Sequence, residues 1–285
     1  MQQQLAILGP GLLGGSIALA ARARGGFGVS LWARRPEAVA EVERLQIADR
    51  ATSDLRAAVA DASLIVLCVP VGAMPALAAQ IVEVMPVDAI VTDVGSVKGT
   101  VCAELAAIFR DRGRFVGSHP MAGSDQTGIA FARADLFAGA AAIVTPRADS
   151  DPAALAQVAA FWELLGARVL QVAPAEHDRI VALISHLPHL LAAVLVETVA
   201  SEDPAAFDFC GPGFRDTTRV AGGPPAMWAE ILRTNSTAVR AATEALIEKL
   251  RGIATLLDRD RPMTEFLTQA KTQRDRLRLP KTPHA

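Results

Sequence analysis

Two short stretches near the middle of the chain bring together groups that could move a proton or hold an anion. TDVGSVKG carries Asp93, Ser96 and Lys98, and GSHPMAGSDQTG carries Ser118, His119, Ser124 and Asp125. Each follows an apolar run that reads as a strand, and open parallel sheets bind their ligands beyond the carboxyl ends of strands. The two loops are therefore expected to converge over one site. His119 is the best single acid or base, because imidazole changes charge near neutral pH. From position alone, a satisfied surface or core histidine is an equal reading. His186 and His189, three apart on an apolar helix, read as one core histidine and one surface histidine beside a kink at Pro188. Arg215 and Arg219, four apart, read first as a solvated face. Zinc would need a third ligand beside the histidine pair, and Glu176 with Asp178 is a poor offer. No metal is expected.

What these groups would act beside is written at the amino terminus. Gly9, Gly11 and Gly14 form G-x-G-x-x-G between the apolar run LAILG and a helix-like segment. In that context the first glycine makes a tight turn, the second admits a pyrophosphate, and the third lets helix and strand approach closely. A dinucleotide is expected there, with Leu12, Val69, Asp93 and Ser96 also beside it. After the second strand, where NAD proteins usually carry an acid for the ribose hydroxyls, stand Arg34 and Arg35. An arginine fork suits a 2′-phosphate, so NADP is favoured over NAD. The alternative is that both arginines are surface groups and NAD binds without the acid.

The elements that must position these groups follow from apolar periodicity. Runs at 5–9, 29–33, 64–69, 89–94, 114–118, 141–146 and 167–172 read as seven strands of one mostly parallel, doubly wound sheet. Segments 54–61, 73–85, 97–112 and 152–165 read as the helices between them. From Pro174 on, the chain reads as long helices without strands, which places a boundary between a dinucleotide-binding domain (1–173) and a helical domain (174–285). The helical faces carry more Leu, Val and Ala than a small bundle needs, so pairing with another subunit is expected, a fully buried core helix being the plainer alternative. The last fifteen residues read as a solvated tail.

Composition narrows the class. A net charge of −2 gives no basic surface for nucleic acid. The three cysteines, Cys68, Cys102 and Cys210, form no CxxC pair, and no signal peptide or uncharged apolar run of membrane length is evident. A cytoplasmic enzyme acting on a small molecule is expected. The chain has no tyrosine, which excludes a short-chain dehydrogenase.

Four separated motifs, DVGSVKG, GSHPMAGS, SHLPH and GFRDTTRVAGGPPAMW, resemble the prephenate and arogenate dehydrogenases of tyrosine biosynthesis. The resemblance runs from Leu5 to about Arg276, with no chorismate mutase segment before it and no regulatory domain after it. It implies a Rossmann-type domain followed by an all-α substrate and dimerisation domain, NAD(P)+ as cofactor, and oxidative decarboxylation of prephenate or arogenate. It implies that His119 bonds the substrate's ring hydroxyl, that Ser96 lies beside that hydroxyl, and that Arg219 binds a carboxylate. His186 and His189 would line the pocket with Ser124, Asp125 would stand at a gate, and Trp228 would lie on a helix of the dimer-forming region. Two rivals remain: another dehydrogenase with a helical second domain, of the β-hydroxyacid type, and a catalytically silent dinucleotide-binding regulator.

Overall fold

The computed structural model describes residues 3–110, 114–123, 126–257 and 259–277. Its first domain alternates strands and helices: β1 (Gln3–Leu8), α1 (Leu12–Arg24), β2 (Phe27–Trp32), α2 (Pro36–Leu45), β3 (Arg50–Thr52), α3 (Leu55–Val59), β4 (Leu64–Leu67), α4 (Met74–Ile81), β5 (Ile90–Asp93), α5 (Gly99–Ile108), β6 (Arg114–Phe115), β7 (Gly117–Pro120), β8 (Ala141–Thr145), α6 (Pro152–Leu164) and β9 (Arg168–Gln171). Six strands form a parallel sheet in the order β3-β2-β1-β4-β5-β6. The order reverses beside β1, which opens the crevice where doubly wound folds take a ligand. Strand residues such as Leu5, Ile7 and Val66 face one apolar core, and Leu8, Ile65 and Leu67 face another on the opposite side.

The expectation of a single seven-stranded sheet is corrected in two places. A three-residue strand, β3, adds itself to the edge beside β2; RAT is too short to show a period. The run 114–118 is split between sheets: β6 pairs in parallel with β5, whereas β7 turns away and pairs antiparallel with β8 in a second sheet, β7-β8-β9. His119 therefore stands on the second sheet, while Ser96 follows β5 of the first.

The second domain is helical: α7 (Pro174–Val181), a π-helical turn (Ala182–His186), α8 (Leu187–Glu202), α9 (Pro212–Thr218), a 3-10 turn (Arg219–Gly222), α10 (Pro225–Thr234), α11 (Ser236–Ala254) and α12 (Asp260–Asp275). Pro188 has no N–H to give, and the π turn just before it, closed by the Leu187 N–H on the Ala182 carbonyl, absorbs the disruption. The apparent tail is helical as far as Asp275, its periodicity hidden by charge. The stretch Pro174–Glu202 is long and apolar enough to cross a bilayer, against the expectation of no such run, but Glu197 and three histidines interrupt it. His177, His186 and His189 on it are buried within the protein. Leu183, Ile184, Leu191 and Val194 on the same stretch are exposed.

Candidate active site

His119 lies at the seam between the two domains, on a strand held by several bonds at the neighbouring Ser118. Asp93, at the end of β5, is wholly buried and receives the Lys98 ammonium and the Ser118 N–H (3.1 Å). Lys98 Nζ also donates to the Ser118 carbonyl at 2.9 Å. The Ser118 hydroxyl donates to the Asp93 carbonyl (2.6 Å) and so accepts from Thr92 Oγ1 (2.8 Å) and Trp162 Nε1 (3.0 Å). This buried pair, with further bonds to the Ser118 carbonyl and from the Ser118 N–H, clips the His119 strand to the first sheet. Asp93, expected beside the dinucleotide, also accepts the Gly95 N–H at 2.8 Å.

From the other side the helical domain supplies two residues that sequence reading passed over as functional groups. His119 Nδ1 is 2.9 Å from His177 Nε2, and His177 Nδ1 is 2.8 Å from Asp178 Oδ1. Asp178 also accepts the backbone N–H groups of Lys98 (2.7 Å) and Gly99 (2.8 Å) at the start of α5. Burial alone would raise the Asp178 carboxyl, but bonds from His177, Lys98 and Gly99 hold it below the ordinary value. Ionised, it can only accept, so His177 Nδ1 carries the proton. Burial keeps His177 neutral below its usual range despite Asp178, so its Nε2 is bare and must accept from His119 Nδ1. Burial, then the neighbouring His177, Lys98 and His186, push His119 well below 6.5. The tautomer that results leaves His119 Nε2 as an unprotonated acceptor at neutral pH.

The expected histidine pair is present but both members are buried, which corrects the reading of one as a surface group. His186 accepts from Asn235 Nδ2 (3.2 Å), whose other amide proton serves the Asp178 carbonyl (2.9 Å). Desolvation holds His186 down at about 4, and its Nε2 has no protein partner. His189 stacks on Trp228 with ring centroids 3.6 Å apart and bonds the Val220 backbone, next to Arg219. Its Nδ1 is likewise buried without a protein partner. Arg219 is exposed on the 3-10 turn, and among the described residues no carboxylate pairs with it. The Ser96 hydroxyl is half-buried in the β5–α5 loop and makes no bond to His119. Ser124 and Asp125 lie outside the described residues.

The glycine loop fits a dinucleotide. Gly9 has φ +123°, and a Cβ there would lie 2.4 Å from the Cys68 carbonyl; a Cβ on Gly14 would lie 2.0 Å from the Gly9 carbonyl. The turn is thus folded tightly against the end of β4, with Val69 beside Gly9. Gly11 has nothing within 4 Å of its open face, and α1 begins at Leu12 with no side chain capping its N–H groups. Such an end is suited to phosphate. Arg34 and Arg35 are exposed just after β2, and among the described residues neither is in an ion pair.

Residues 17–171 match the family described as prephenate dehydrogenase, nucleotide-binding domain, and residues 173–271 match its dimerization domain. The chain belongs to the prephenate dehydrogenase family. It is 33% identical to a cyclohexadienyl dehydrogenase of Zymomonas mobilis over 99% of this chain and 97% of that one. Among solved structures it is similar to a prephenate dehydrogenase of Aquifex aeolicus in complex with hydroxyphenyl propionate and NAD+ (TM-score 0.90, 31% identity, 96% of this chain and 98% of that one). It is also similar to an arogenate dehydrogenase of Synechocystis (TM-score 0.84, 31% identity, 96% and 99%). As the resemblance implied, this is a Rossmann-type domain followed by a helical one, and the β-hydroxyacid alternative is not favoured.

Proposed function

We propose that the chain catalyses the oxidative decarboxylation of prephenate, arogenate or both, giving 4-hydroxyphenylpyruvate or tyrosine with reduction of NAD(P)+. The observation that carries this beyond family membership is the chain Asp178–His177–His119, which leaves one bare imidazole nitrogen at the domain seam. The bound dinucleotide supplies the hydride acceptor. His119 Nε2 accepts or shares the proton of the ring hydroxyl as the carbon beneath it is oxidised, with the Ser96 hydroxyl alongside. Arg219 holds a carboxylate through a charge-assisted, bidentate bond, on a turn that His189 steadies through Val220. Loss of carbon dioxide makes the ring aromatic, so the protein need only align, deprotonate and hold.

NADP is the favoured cofactor, because two unpaired guanidinium groups and no acid stand at the end of β2. The helical domain is proposed to pair with a second copy of the chain through the apolar faces that include Ile184 and Val194. Steady-state assays at 340 nm with two substrates and two cofactors test the reading. Reduced cofactor is expected with at least one combination, and none at all would leave a silent dinucleotide-binding protein. Arg34→Asp should move the ratio of kcat/KM for NADP+ over NAD+ towards NAD+ by about tenfold. An unaltered ratio would reject the 2′-phosphate site.

A further inference from the structure

Helix α10 touches both halves of the site at once. Two residues apart, and hence on different faces of the helix, it carries Trp228, stacked on His189, and Glu230. The Glu230 carboxylate accepts the Gly72 N–H at 2.8 Å. Gly72 belongs to the 3-10 turn Val71–Ala73 that follows β4 and leads into α4, on the wall of the dinucleotide crevice opposite the glycine loop. The first N–H groups of such a segment have no helical partner, so a carboxylate there is favoured by both bonding and dipole.

The same turn also leans on the loop that carries Ser96. A Cβ added to Gly95 would come within 2.8 Å of Val71 Cγ1 and 3.3 Å of Met74 Cε, so the two loops are in close contact. On its other face α10 is equally confined, since a Cβ on Gly223 would lie 2.4 Å from Trp228 Nε1 and 3.4 Å from His189 Cε1. The Glu230 carboxylate is thus a direct hydrogen-bonded link between the turn after β4 and the helix that carries Trp228.

Resting on the dehydrogenase reading, we propose that Glu230 is a positioning residue that couples dinucleotide binding to binding at the substrate pocket, through α10. Coupling of this kind is reciprocal: each ligand tightens the other by the same factor. Two variants cut the tie from opposite sides. Glu230→Ala removes the acceptor. Gly72→Ala places a methyl group 2.0 Å from Glu230 Oε1, the free end of a flexible side chain, which can swing away without disturbing the fold.

The test is the Kd of NADP+, and of NAD+, measured by calorimetry with and without a saturating product, 4-hydroxyphenylpyruvate or, where only that binds, tyrosine. The unaltered protein should bind dinucleotide about fivefold or more tightly when the product is present. In both variants that factor should fall below about twofold, while the affinity for that product alone stays within about twofold. Equal factors in all three proteins, or no tightening in the unaltered one, would overturn the coupling and leave the dehydrogenase reading standing. Failure of both 4-hydroxyphenylpyruvate and tyrosine to bind any form would overturn both.

Discussion

The two ends of the pocket are built to different tolerances. At the base end, His119 sits on a strand locked by Asp93, Lys98, Ser118 and Trp162, and its ring is oriented by His177 and Asp178 from the other domain. At the anion end, Arg219 is exposed on a one-turn 3-10 segment and is steadied only indirectly, where His189 bonds Val220. A proton must be taken from one atom in one direction, so that end is rigid before anything binds. A carboxylate can be caught by a mobile guanidinium at little cost, so that end is left free to adapt.

The largest test of the difference is at Lys98. Lys98→Met leaves the Asp93 carboxylate buried without its counter-ion and should cost about 3–5 kcal/mol of stability, read from chemical denaturation. A loss below about 1 kcal/mol would show that the base end is not held by this pair. Next, His119→Asn should lower kcat by about a hundredfold or more, with dinucleotide affinity nearly unchanged, and normal turnover would remove His119 from the chemistry. At the other end Arg219→Ala should raise the substrate KM by about tenfold and change kcat much less. If kcat fell as far as in His119→Asn, the contrast between a rigid and an adaptable end would be wrong.

The last test concerns pH. His119, His177 and His186 are held below 6.5 by burial, the last at about 4, so the unfolded chain takes up protons that the folded one refuses. Stability should therefore be full above about pH 6.5 and fall as the pH drops, with His186 alone contributing a slope of at most about 1.4 kcal/mol per pH unit down to about pH 4. His186→Asn should flatten the slope of Tm against pH over that range. An identical slope would mean that His186 is not held neutral.

The site could be read from the sequence wherever a local rule applied. The glycine loop is recognisable because turn, phosphate cradle and helix start fall within six residues, and His119 because a strand ends in polar groups. His177 and Asp178 obey no local rule. Their partners are 58 and about 80 residues away, across a domain seam, and HD near a helix start reads as solvated charge. One composition signal was available: the chain has five histidines, and four lie between positions 119 and 189. The fold was legible in the same uneven way. Long apolar strands announced themselves, but β3 is only three residues long, and the corner at Val116, where one apolar run serves two sheets, carries no mark in residue type. Helix α12 was hidden because eleven of its sixteen residues are charged or polar.

The π turn at Ala182–His186 amounts to one residue more than a regular helix would use between His177 and His189. Deleting a single residue within it would suit the helix and ruin the enzyme. Each residue advances a helix by about 100°, so the shortened chain would present His177 and Asp178 to a different side from His186 and His189. The backbone could become more regular and the protein even more stable, with the proton path and the ligand pocket no longer facing each other.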